Sequence, residues 1–128
     1  MKIPDTYKLN FHPLDLEVVE VLDFQGVPLL TVERNHAGFK YLSYLLQYAD
    51  GGVEQRLVLP ITDTRLEALK AGKISVRDAF NTSELEQVFC LLYDETSGEP
   101  LESWLLPSEV FERINPVNKD YDFAKMVI

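Results

Sequence analysis

Cysteine occurs once in this chain of 128 residues, at Cys90, so no intramolecular disulfide can form and the composition agrees with a reducing compartment, the cytoplasm. Histidine occurs twice, at His12 and His36, far apart and without the HxxxH, HxH or CxxC spacing that marks a metal site. No metal and no cofactor are therefore expected. The six glycines build no GxxxxGKS/T, GxGxxG or GxSxG motif, which removes nucleotide cradling and the commonest hydrolase elbow. Apolar runs are broken by charge far short of the roughly 18 to 20 residues a helix needs to cross a bilayer, and the opening Met1-Lys2-Ile3-Pro4-Asp5 has no continuous apolar stretch of the secretory kind. Neither a membrane nor an export route is expected.

Basic residues are scarce as well, 12 Lys and Arg against 21 Asp and Glu, for a formal net charge of −9. The scarcity is patterned. Between Leu9 and Glu33 stand five acids and no base, and between Asp78 and Glu112 nine acids and no base; the stretch from Arg34 to Arg77 reverses this, with seven bases against four acids. A surface of this kind keeps a small domain soluble, and it can also dock a basic partner on its acidic side. Direct nucleic-acid binding is disfavoured, because phosphate neutralisation needs a basic footprint.

What is present reads as one folded domain over residues 1–128, with 1–15 as an N-terminal arm and 115–128 as a C-terminal tail. The hydrophobic share of 46% and charged share of 26% are those of an average globular chain. Leu16 to Phe24 is β-branched, and Gln25-Gly26 turns it into Pro28 to Glu33. Asn35-His36-Ala37-Gly38 makes a second turn into Phe39 to Tyr48, where Leu42, Tyr44, Leu46 and Tyr48 alternate with Tyr41, Ser43, Leu45 and Gln47. Asp50-Gly51-Gly52 then introduces Arg56 to Ile61. Thr64 and Glu67 have capping-box spacing, with Asp63 as a competing cap, and Gly72 stops that helix; Ser75 and Asp78 start a second. Glu86 to Tyr93 and Leu101 to Leu106 read as a hairpin across the loop Asp94 to Pro100. Pro107-Ser108 is suited to open a last turn of helix through Arg113. The expected class is α+β: an antiparallel meander of about four strands, two short helices, then a closing hairpin.

The segment Arg65-Leu66-Glu67-Ala68-Leu69-Lys70-Ala71-Gly72-Lys73-Ile74-Ser75-Val76-Arg77-Asp78-Ala79-Phe80, with the preceding strand Leu57-Val58-Leu59-Pro60-Ile61, resembles an uncharacterised bacterial domain family in which a β-meander leads into an RLEALKxGxISxRDAF-like double helical turn. The resemblance spans residues 16 to 106. It implies a fold and carries no assigned activity and no catalytic residues. Physically, the motif is a helical corner folded onto a sheet.

No catalytic residue is assigned. Cys90 lies in Val88-Phe89-Cys90-Leu91-Leu92, where a thiol behaves as a small buried hydrophobe, and Asp94, Glu95 and Glu99 lie in a turn-rich loop with nothing nearby to raise a carboxyl pKa. The aromatics Phe39, Tyr41, Tyr44, Tyr48, Phe89, Tyr93 and Trp104 favour cross-strand packing, or a protein-docking face, over a base-stacking platform, which would need more basic neighbours. Three functions follow. The leading one is a non-catalytic protein-interaction domain that binds another protein or forms a homo-oligomer, with Glu95, Glu99, Glu102 and Trp104 as candidate interaction residues. The second is an acidic inhibitor of phage or mobile-element type that mimics nucleic-acid phosphates with the base-free run Asp78 to Glu112. The third is an unrecognised hydrolase or transferase, which requires His12 or His36 to meet a carboxylate in a concave pocket.

Overall fold

Among the described residues six stretches become strands: β1 (Glu17–Phe24), β2 (Pro28–Arg34), β3 (Lys40–Ala49), β4 (Val53–Pro60), β5 (Gln87–Asp94) and β6 (Pro100–Pro107). Three short α-helices accompany them among the described residues, α1 (Asp63–Lys70) and α2 (Val76–Asn81) between β4 and β5, and α3 (Ser108–Ile114) after β6. The computed structural model describes residues 3–11, 13–49, 52–81, 87–117 and 121, with the side chains of Gln47, Tyr48 and Ala49 excepted. Asp50, Gly51, Glu86 and most of the 115–128 tail lie outside the described residues.

The expected architecture is corrected here. All six strands form one antiparallel sheet in the order β1-β2-β3-β4-β5-β6, and a third helix follows it. There is no four-stranded meander with a separate closing hairpin. The helical corner α1–α2 interrupts the chain but not the sheet, because it returns the chain to the free edge of β4, where Leu57 pairs with Cys90 and Val58 with Phe89. Turn residues announce each strand locally; which edge a later hairpin joins depends on contacts some thirty residues apart in sequence.

The corner is built from its caps. The Oγ1 of Thr62, in extended conformation two residues after β4, accepts from the Arg65 backbone N–H at 3.3 Å, so the cap lies two residues before the expected Thr64. At the far end Gly72, at φ +75°, lets Lys73 N donate to Ala68 O at 2.9 Å and Gly72 N to Leu69 O at 3.1 Å, a Schellman ending that a side-chain-bearing residue would strain. The Ser75 hydroxyl accepts from Asp78 N at 3.0 Å and starts α2.

One face of the sheet carries the main core. Leu42 pairs with Leu59, Leu57 with Cys90 and Cys90 with Trp104, so an apolar row crosses the strands beneath the helices. Leu66, Leu69, Val76, Phe80 and Phe111 close over it, with Phe80 edge-on to Tyr44 at 6.2 Å between ring centroids. Each fully buried large side chain contributes about 1.5–3 kcal/mol relative to exposure.

The opposite face is also buried, although none of the three helices among the described residues packs there: Leu45, Val58 and Leu91 are at most 5% exposed. The N-terminal segment meets it at β6. Leu9 N donates to Ser103 O and the Ser103 hydroxyl to Phe11 O, each at 2.8 Å, and by Glu17 the chain has reached the other edge of the sheet to begin β1.

Candidate functional site

Because the strands run in sequence order, the sheet has two edges, β1 and β6, and the chain treats them differently. At β6, Lys8 bridges to Trp104, Leu9 N bonds to Ser103 O, and the Lys8 ammonium meets Glu102 at 2.9 Å. The chain itself takes the middle of that edge. At β1, among the described residues, no strand pairs on the side away from β2. Unpaired backbone N–H and C=O groups of this kind template strand addition.

The side chains of β1 reinforce the difference. Val18, Val19, Val21 and Phe24 are 51%, 40%, 46% and 64% exposed, an unusual concentration of bare apolar groups on one strand. Three register irregularities against β2 bend the strand and break its alternation. Val18 stands opposite Glu33 and Val21 opposite Thr31, on the face away from the helices; Glu20 stands opposite Val32 on the helix side, where it reaches Lys70 of α1 at 2.8 Å. Glu17 lies 3.6 Å from Arg34, and Asp23 accepts from the Tyr121 hydroxyl at 2.6 Å and from Gln25 at 3.0 Å. β1 itself carries three carboxylates and no base.

A polar cluster lies behind this edge, on the face away from the helices. Arg56 donates through Nε to Ser43 Oγ at 2.7 Å, through Nη1 to Glu54 at 2.6 Å and through both terminal nitrogens to the Pro28 carbonyl at 3.2 and 3.3 Å. Burial pushes the Glu33 carboxyl above its ordinary value, against the Ser43 hydrogen bond and the Arg56 charge, which hold it down. Tyr93 is also raised, by burial first and then by the Glu33 charge. The arginine is committed to a hydroxyl, a carboxylate and a carbonyl, so this constellation acts as a satisfied polar floor and not as a ligand clamp.

Two concavities flank the start of β1 and β3. The smaller, about 390 Å³, contains His36 and Asp15, whose Nε2 and Oδ2 lie 2.9 Å apart. A histidine does meet a carboxylate there, but both side chains are more than 85% exposed and no serine or cysteine is among the lining residues. His12 lies outside the described residues. The larger, about 760 Å³, is walled by Phe39, Tyr41, Pro60 and Ile61, with the Lys40–Asp63 pair at 2.7 Å beside it. No group of three or more His, Cys, Asp or Glu is arranged to hold a metal among the described residues. No helix among them is long and apolar enough to cross a membrane.

The residues singled out from sequence are placed apart. Trp104 is 9% exposed within the main core, opposite Cys90, and its indole N–H has no hydrogen-bond partner among the described residues. Glu102 pairs with Lys8. Glu95 and Glu99 are exposed at the β5–β6 turn, where Glu95 N donates to Gly52 O at 2.7 Å and Asp94 N to Glu99 O at 2.8 Å. Tyr41 borders the larger groove, Tyr44 joins the core, and the Tyr48 side chain is not among those described. Cys90 is fully buried, accepts from Gln55 at 3.2 Å, and has its thiol pushed up to about 11 by that burial. What sequence reasoning missed is the bareness of Val18, Val19 and Val21; the signal available was two adjacent valines that break strict alternation between Glu17 and Glu20.

A family model described as a family of unknown function matches residues 14–106, from just before β1 to Leu106 in β6. No curated protein and no solved structure matches the chain.

Proposed function

The chain belongs to that family, DUF6575, and from this premise we propose that it is a protein-interaction domain that accepts an extended strand of another protein along β1. The observation that carries the proposal is the asymmetry of the sheet edges: residues 8 and 9 bond to β6, while β1 keeps its outer backbone row unpaired among the described residues and bares Val18, Val19, Val21 and Phe24. In strand addition the main-chain bonds supply affinity, and the side chains beside them supply selectivity. The acids support docking over phosphate mimicry. The acids of the base-free run are spread over the domain, Asp78 in α2, Glu95 and Glu99 at the β5–β6 turn, Glu102 against Lys8 at the β6 edge and Glu109 in α3, so they do not form one file of charge. The lone, buried Cys90 suits work in a reducing compartment such as the cytoplasm.

Hydrogen exchange of the full chain, alone and with an excess of short extended peptides in which valine alternates with lysine, serine or glutamate, tests the reading. Slowed exchange confined to β1 with at least one peptide is the expected result. Unchanged exchange of β1 with all three, or protection elsewhere only, would count against it.

A further inference from the structure

We infer that the strand accepted by β1 is a basic, amphipathic one: Lys or Arg side chains on the face shared with the helices, aliphatic side chains on the other. This rests on the β1 docking reading and adds the chemistry of the partner. Glu20 projects to the helix side and Val18 and Val21 to the opposite side, so a strand laid along β1 meets carboxylate on one face and bare valine on the other. Directly opposed side chains in an antiparallel pair stand about 4.5–5.5 Å apart, within reach of an ion pair or an aliphatic contact.

Charge complementarity selects this occupant. Residues 9–33 hold five acids and no base within a chain of net charge −9. The bases that reach β1 come from neighbours on the sheet side, Arg34 at 3.6 Å from Glu17 and Lys70 at 2.8 Å from Glu20, and neither carboxylate is consumed: the Glu17 side chain remains 75% exposed and that of Glu20 46%. A second copy of the chain is the poorer occupant, since it would lay three further carboxylates along Glu17, Glu20 and Asp23. Like charges opposed across strands destabilise pairing.

A photoreactive benzophenone side chain placed at position 19 of the full chain tests the inference. The protein is irradiated alone and with each of the three peptides, and the adducts are mapped by mass spectrometry. The expected result is an adduct to the valine–lysine peptide about tenfold more abundant than that to the valine–glutamate peptide, with the preference shrinking as salt is raised from about 50 to about 300 mM and in the Glu17→Gln, Glu20→Gln double variant. Equal adducts to all three peptides would overturn the basic chemistry while leaving strand docking in place. Adducts only to a second copy, or only to residues 122–128 of the same chain, would give the edge to those occupants and overturn both. No adduct of any kind would overturn docking itself.

Discussion

Arg77 and Asn115 clasp each other across the ends of two helices. The Arg77 guanidinium donates to the Asn115 carbonyl at 3.1 Å and to the Val117 carbonyl, while Asn115 Nδ2 donates back to the Arg77 carbonyl at 3.2 Å and to Asn81 Oδ1 at 2.7 Å. Asn115 is 6% exposed. Its removal takes a donor from two half-buried acceptors and an acceptor from the buried Val117 N–H, so Asn115→Ala is expected to cost about 1–3 kcal/mol. Denaturant unfolding followed by the emission of Trp104, the single tryptophan, measures this; a midpoint equal to wild type would mean that the clasp is solvated.

Leu59 is fully buried beneath the helical corner, paired with Leu42. Leu59→Asp would bury an unpaired charge at the centre of the sheet, and no cooperative melt is expected from it. His36→Ala removes only a solvated contact with Asp15 and is expected to shift stability by no more than about 0.5 kcal/mol. Thermal melts by circular dichroism distinguish the two, and a wild-type melt for Leu59→Asp would contradict the placement of β4.

Cys90 is a core group by position and by chemistry. Its thiol is pushed up to about 11 by burial, so very little thiolate exists near neutral pH and no reagent can reach the sulfur without opening of the sheet. An aromatic disulfide reagent is expected to label it only at the rate of global or local unfolding, with labelling complete in denaturant. Rapid labelling of the folded chain would show that β5 and β6 separate readily.

Strand-length stretches and their turns are legible because they depend on neighbours in sequence: Gly26 at φ +75° and Gly38 at φ +89° close the first two hairpins, and the alternation of Leu42 and Tyr44 against Tyr41 and Ser43 follows the pleat. The joining of β5 to β4 is not legible, since Cys90 and Leu57 pair across the whole helical corner and no neighbour in sequence specifies that contact. Nor is exposure. Val18 and Val21 have the composition of core residues, yet their strand is at the sheet's end, whereas Trp104, a candidate interaction residue by sequence, is carried inward by its register with Cys90. The site is a property of strand order: the adjacent Val18 and Val19 mark a break in alternation, but not which strand ends the sheet.

Glu33 makes the stability of the domain depend on pH in a direction opposite to that of an exposed, hydrogen-bonded acid. Its carboxyl is raised above the ordinary value by burial, with Ser43 and Arg56 opposing the shift and Glu54 adding to it, and Tyr93 shares its electrostatic surroundings. A group raised in the folded state binds its proton more tightly there than in the unfolded chain, so its contribution to stability falls as pH rises from the ordinary carboxylate value through the folded one. Asp94 behaves in reverse: backbone and hydroxyl hydrogen bonds from Ser97 lower it, and its contribution is lost as pH falls through the folded value. Glu33→Gln keeps a side chain able to hydrogen-bond Ser43 and removes the buried charge. The variant is therefore expected to gain melting temperature over wild type at about pH 8, with the gain shrinking toward about pH 4, where Glu33 is protonated in both states. Asp94 is common to both proteins and cancels in the difference. A difference constant across that range would show that Glu33 is ionised without penalty, and the polar floor beneath β1 would then be open to water.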